Sequence, residues 1–322
     1  MIRKLLAIAA NTFVETVRQP VYGVVLGATL LLMILNVGLA GYTLSDDDKL
    51  LTELGLSTLL LSGLFLASFS ATSVLTREIE NKTVLTVISK PVSRPVVLLG
   101  KYVGLLGALS LSFYLCFLGF LFCMQHRVLQ TSAMEWHKPV LTFGLGGALF
   151  TCIVAGIRNY ISGKEFITTA LWVGTPLLTA GAIACAFLGR DWHLQEMSKG
   201  LPAPAIFLAA FLIFCALVVI AAIVLAASTR LGQVLTLVVC VGVLVCGLVT
   251  DYLLSEAAGR SVIADTIYRV IPNFNFFWIV DAVNNEQPIP LIYAILAAGY
   301  AFLMSMAALL FGVALFQRRE VG

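Results

Sequence analysis

Arg77-Glu78-Ile79-Glu80-Asn81-Lys82 places four charged side chains in six residues, between two long apolar runs. Thr83, Lys90, Pro91, Ser93 and Arg94 follow within the same interval. Charges of both signs at this density suit polar docking against a partner. They do not form a catalytic set, because no histidine, cysteine or hydroxyl nucleophile is paired with a base. Other chemistry is sparse. Met124, His126, Met134 and His137 combine thioether and imidazole, which can hold copper, but their spacing fits no defined site and no metal is expected. The seven cysteines (Cys116, Cys123, Cys152, Cys185, Cys215, Cys240 and Cys246) form no C-x-x-C pair and are expected to be buried free thiols. A phosphate loop is missing, since Gly163-Lys164 lacks the earlier glycine. The H-E-x-x-H and G-x-S-x-G patterns are missing too, so the chain is not expected to be an enzyme or to carry a cofactor.

A further group of residues could line a path. On a helix at ~100° per residue, Thr58, Ser62, Phe65, Phe69, Thr72 and Ser73 share one face of about 100°. Hydroxyls mixed with phenyl rings suit an amphipathic or lipid-like substrate; they also suit helix–helix hydrogen bonding.

The elements that must position these residues are set by composition. Of 322 residues, 60% are hydrophobic and 11% are charged. A soluble domain is near ~25% charged. The expected fold is all-α, a polytopic transmembrane helical bundle in a single domain over residues 1–322. A net charge of +3 gives no reason to expect nucleic acid as a partner. Apolar runs predict spans at 21–42, 54–76, 96–123, 139–157, 166–188, 204–227, 231–250 and 290–316. The fourth is short and glycine-rich, and the fifth carries Pro176, so these two are the extra segments added to six core spans and could be re-entrant. With the N-terminus inside, thirteen lysines and arginines fall on the cytoplasmic side and seven outside, which predicts both termini in the cytoplasm. The short run Leu5–Ala10 argues against a cleavable signal peptide.

Residues 2–18 predict an amphipathic helix lying in the membrane interface. Ile2, Leu5, Leu6, Ala9, Ala10, Phe13 and Val17 share an arc of about 140°, opposite Lys4, Asn11, Glu15 and Arg18. The longest stretch between spans, 251–289, contains Ile271-Pro272-Asn273-Phe274-Asn275-Phe276-Phe277-Trp278, which predicts an aromatic interfacial belt or a short helix dipping into lipid. Within the spans the sole ionisable residue is Lys101, expected to snorkel to the interface. Proton-driven carriers need such groups at mid-depth, so uphill transport here would draw its energy from elsewhere. In the last span Ala294, Ala298, Ala301, Ser305, Ala308 and Gly312 form a close-packing stripe.

The interval 77–95 predicts a short cytoplasmic amphipathic helix stopped by Pro91 and Pro95. Its order, Arg77-Glu78, Glu80, Thr83, Pro91, Ser93-Arg94, then Gly100-Lys101, resembles the coupling-helix region of type-two ABC exporter permeases. The helix at 2–18 is similar to the elbow helix of that family. So are Ile271-Pro272-Asn273-Phe274 through Asp281-Ala282-Val283 and the closing Phe316-Gln317-Arg318-Arg319-Glu320 to its terminal signature. Within the superfamily the chain looks most like permeases grouped with nitrous-oxide-reductase, or multicopper enzyme, maturation. It departs from them in residues 124–203, which add two apolar segments.

The resemblance implies a permease subunit of an exporter in a bacterial cytoplasmic membrane. A separate cytoplasmic ATPase would bind ATP and Mg, and a second permease chain, identical or paralogous, would complete the path through the lipid bilayer. It assigns coupling to Arg77, Glu78, Glu80, Lys82, Thr83, Lys90, Pro91, Ser93 and Arg94. Arg94 is expected beside lipid phosphates, anchoring the interval together with Lys82. A secondary carrier and a non-transporting membrane scaffold are the alternative functions.

Overall fold

The computed structural model describes residues 2–42, 46–80, 93–129, 135–258, 266, 268 and 271–317. Among them there is no β-strand; the chain is all-α. The helices are α1 (Ile2–Val17), α2 (Pro20–Ala40), α3 (Asp47–Glu80), α4 (Arg94–His126), α5 (Lys138–Ser162), α6 (Phe166–Phe187), α7 (Met197–Gly200), α8 (Pro204–Ser228), α9 (Gln233–Ala258), α10 (Val280–Asn284) and α11 (Leu291–Gln317). Among the described residues, eight helices are long and apolar enough to cross a membrane: α2, α3, α4, α5, α6, α8, α9 and α11. Helix is the required state there, because lipid offers backbone N–H and C=O groups no partners. The chain is a multi-pass membrane protein.

Both segments that could have been re-entrant form helices long enough to span. α5 runs 25 residues, through a π-helical turn at Leu141–Gly146, and α6 runs 22. Pro176 lies inside α6 without ending it, at the cost of one backbone hydrogen bond.

Contacts divide the chain into two compact units. One comprises 1–16, 63–110 and 211–322; the other comprises 17–62 and 111–210. In the first unit, α1 lies against α4 at glycine. A Cβ on Gly104 would strike the Ala9 carbonyl oxygen and come within 2.7 Å of Thr12 Cβ. A Cβ on Gly100 would come within 2.8 Å of Ile8 Cγ2. α8 supplies core to this unit: Leu217 fills the space over Gly63 of α3, and Ala226 that over Gly312 of α11. Of the close-packing stripe expected on α11, Ala294, Ala301, Ser305 and Gly312 are buried, and Ala298 and Ala308 are half-buried.

The helix at 2–17 has three faces instead of two. Ala9, Thr12 and Thr16 are buried, with Leu5, Ile8 and Phe13 half-buried beside them. Ile2, Leu6 and Val14 form an exposed apolar strip, and Lys4, Asn11 and Arg18 an exposed polar one. The centre of the packed face is therefore rotated from the expected apolar arc toward Thr12 and Thr16, because small residues there let two backbones approach.

In the second unit, α2, α3 and α4 pack together. Phe120 lies over Gly55, Leu30 over Gly119, and the Cys123 thiol donates to the Met33 carbonyl at 3.3 Å. Ala40, Leu51 and Val128 close one end. The α5–α6 hairpin turns at Gly163, whose φ of 63° is left-handed and favours glycine. All seven cysteines are free. Cys152 and Cys246 are exposed rather than buried, on helices whose outer faces are apolar; the other five are buried as expected.

Candidate functional site

The segment 81–92 lies outside the described residues, and with it Lys82, Thr83, Lys90 and Pro91. Its two borders are described. On the near side α3 continues through Glu80, so Arg77, Glu78 and Glu80 belong to the end of a spanning helix rather than to a separate short one. On the far side α4 begins at Arg94. The Ser93 carbonyl accepts the amides of Val96 at 3.0 Å and Val97 at 3.3 Å. Pro95, expected from sequence to stop a helix, sits instead in the first turn of α4, where a missing N–H leaves no bond unmade.

A set of cations joins the helix ends of this unit. Arg94 donates through Nη1 to the carbonyls of Phe316, at 3.1 Å, and Gln317, at 2.8 Å. Its guanidinium also lies 5.8 Å from the centre of the Phe316 ring. Arg230, in the turn between α8 and α9, donates through Nη2 to the Leu315 carbonyl at 2.8 Å. The last carbonyls of α11 have no intrahelical partners, and the dipole there favours positive charge. Two arginines from different elements meet both needs. Arg94 is thus bonded to the end of α11. Lys101 departs from expectation. It is 3% exposed, and Nζ donates to the Val74 carbonyl of α3 at 2.9 Å. A buried ammonium must be hydrogen-bonded, and α3 lies closer than water.

These bonds join cations to neutral carbonyls. They supply no acid, base or nucleophile; they fix the start of α4 to the ends of α11 and α3.

The hydroxyl-and-phenyl face of α3 is the open side of a mostly buried helix. Phe65 is exposed, Thr58, Ser62, Phe69 and Ser73 are half-buried, and Thr72 is buried. Their hydroxyls bond within α3: Thr58 to Leu54, Ser62 to Leu59, Thr72 to Ser68 and Ser73 to Ser70. Thr58 also accepts the Asn36 amide at 2.9 Å.

A polar cluster that sequence did not single out lies in the same unit as the cations. The Asp251 carboxylate accepts Tyr268 Oη at 2.9 Å and Asn273 Nδ2 at 2.6 Å on Oδ1, and Asn275 Nδ2 at 3.1 Å on Oδ2. Donating to Asp251 raises the Tyr268 hydroxyl above its ordinary range and keeps it protonated. Asn273 and Asn275 are spaced to reach one carboxylate from an extended turn. Two of the four aromatics here pack inward: Phe274 and Phe277 are each 2% exposed, and Phe277 contacts Tyr300, while Phe276 is exposed and Trp278 half-buried. The segment expected as an aromatic belt is pinned against α9 and α11 through Phe274 and Phe277, with Phe276 left outward.

In the other unit, among the described residues, no three of His, Cys, Asp and Glu gather as a metal site; Met134 is outside them. His126 is seated against Trp136, with Nδ1 2.8 Å from the Arg127 carbonyl oxygen. His137 is buried. Burial first, then Arg190 and His126, push it below its ordinary value of 6.5, with Asp191 opposing. The folded chain then holds His137 neutral while the unfolded chain takes up a proton below its ordinary value. Stability should fall as pH drops through that window, and His137→Gln should flatten the fall. Melting curves from about pH 7 to about pH 5 on both chains check it; equal slopes would refute it.

The chain matches no family model, and a search of curated proteins finds no match.

Proposed function

We propose that this chain is the membrane-spanning permease subunit of an ATP-binding-cassette exporter. The reading rests on one observation above the others. The charged segment 77–94 joins α3 to α4, and α4 starts with an arginine bonded to the end of α11. A partner docked on that segment would push on the ends of several spanning helices at once. The similarity of these residues to a coupling helix says which partner: a cytoplasmic ATPase holding ATP and Mg.

In this reading both termini are cytoplasmic and the chain itself hydrolyses no ATP. The open face of α3, with Thr58, Ser62, Phe65, Phe69 and Ser73, would meet the path or a second permease chain. Lys101 is the one Asp, Glu, Lys, Arg or His in the apolar stretches read from sequence, which accords with energy supplied from outside the membrane.

Glu78 and Glu80 are two positions apart on α3, so they diverge by about 200° and cannot serve one contact. One of Glu78→Lys and Glu80→Lys should lose the ATPase, since reversal sets like charges across a docking surface. Association should drop about tenfold or more, as like-charge juxtaposition costs several kcal/mol. Co-purification of the ATPase from membranes with equal expression measures this. Full retention by both variants would remove the coupling role.

A further inference from the structure

A cavity of about 430 Å³ opens where three spans of one unit end. Arg18 precedes α2, Arg158 lies in the last turns of α5, and Lys164 and Glu165 precede α6; Thr168 and Trp172 complete the wall. Glu165 is already engaged: Arg18 Nε lies 2.9 Å from its carboxylate, and Thr168 Oγ1 donates to it at 3.0 Å. Arg158 and Lys164 have no ion-pair partner among the described residues, so the cavity keeps an excess of positive charge. The turn that presents Lys164 is fixed by two bonds, from the Gly163 amide to the Asn159 carbonyl at 2.9 Å and from Asn159 Nδ2 to the Lys164 carbonyl at 2.7 Å.

The surroundings are apolar and open. Trp172 is 77% exposed, Tyr160 92% and Ile161 74%. Exposed rings and aliphatic chains at the ends of membrane spans meet acyl chains and headgroups. Cavities of ~300–1,000 Å³ hold small ligands, and basic pockets between spanning helices hold acidic lipid headgroups. A free anion would use the cations and leave the apolar rim without a role.

We propose that this cavity binds the phosphate of an anionic phospholipid, with Arg158 and Lys164 on the phosphate, Arg18 held beside it by Glu165, and the acyl chains along Trp172. A lipid seated there bridges the start of α2 and the α5–α6 turn.

The test uses the full purified chain in neutral detergent, with native mass spectrometry and melting curves. Phosphatidylglycerol should remain bound and raise the melting temperature, while phosphatidylcholine should not. Arg158→Gln/Lys164→Gln should bind phosphatidylglycerol about thirtyfold more weakly, at roughly tenfold or less per surface cation. Both side chains are exposed, so the apo double variant should melt like its parent. Arg3→Gln/Lys4→Gln, which removes two cations elsewhere, should bind as the parent does. Three results would each overturn the proposal: equal loss in the Arg3/Lys4 control, a double variant that binds normally, or inorganic phosphate giving the same stabilisation as the lipid.

Discussion

Gly104→Leu will detach α1 from α4 and strongly destabilise the chain. In most packed sites an enlarged side chain finds room by moving a neighbour's rotamer. Here the neighbour is backbone: the added Cβ meets the Ala9 carbonyl oxygen, with the Phe13 amide nitrogen at 3.0 Å on the other side. Overpacking ordinarily costs ~1–3 kcal/mol, and a contact with no rotamer to adjust should reach the upper end, about 3 kcal/mol. Gly242→Ala is the control, because a Cβ at Gly242, within α9, meets nothing within 4 Å. That change should be neutral or stabilising by up to ~1 kcal/mol, from the lost flexibility of glycine. Detachment itself is read with Thr12→Cys in a chain whose exposed Cys152 and Cys246 are replaced by alanine. Thr12 is 3% exposed, so its thiol should resist maleimide until Gly104→Leu is added. Slow labelling with both changes present, or equal melting of Gly104→Leu and Gly242→Ala, would show that the glycine is not what seats the helix.

The spans were legible because lipid imposes one rule on every residue in them. Apolar length alone puts α2 at 21–42, against Pro20–Ala40 in the structure, and the last span at 290–316, against Leu291–Gln317. Hydropathy does not say which side of an apolar helix meets protein. In α1 that choice falls to Thr12 and Thr16, which an apolar arc omits, and to Gly100 and Gly104, far along the chain. Lys101 misleads for a related reason. Its distance from the helix end permits snorkelling, yet the Val74 carbonyl is nearer than water, and that proximity is tertiary. Glu78 and Glu80 look like part of a separate short helix because charges usually mark the end of a span. α3 carries them because helix runs on past the lipid wherever nothing breaks it, and no proline or glycine lies between Gly63 and Pro91. The α11 carbonyls held by Arg94 and Arg230 are invisible in sequence, since any helix end presents the same carbonyls and the partners lie elsewhere in the chain.

Asp251→Ala will release the segment 273–277 from α9. The carboxylate is the common acceptor for Tyr268, Asn273 and Asn275, which lie in one short stretch and are all tied by it to α9. Hydrogen bonds to a charged group contribute ~1.5–3 kcal/mol each, but three that share one carboxylate are not additive. Asn275 keeps its bond to the Leu248 carbonyl, 3.0 Å away, and Asn273 Oδ1 keeps the Asn275 amide at 2.9 Å. The expected loss is therefore about 3 kcal/mol, that of one or two charged bonds. Asp251→Asn separates charge from shape. Its oxygen can still accept on one side, but its NH2 must face a donor on the other, so it should fall between parent and alanine. If the network holds the segment, Asn273→Ala combined with Asp251→Ala should cost less than the sum of the two, with a coupling of about 1 kcal/mol or more. Denaturant or thermal melts of the four chains supply the cycle, and Trp278 fluorescence reports the segment directly. Strict additivity would mean that Asp251 and Asn273 act independently, and that burial of Phe274 and Phe277 alone keeps the turn in place. Because this cluster involves no residue from 77–94, ATPase association should be unchanged in Asp251→Ala, unlike in the charge-reversed Glu78 or Glu80 variant.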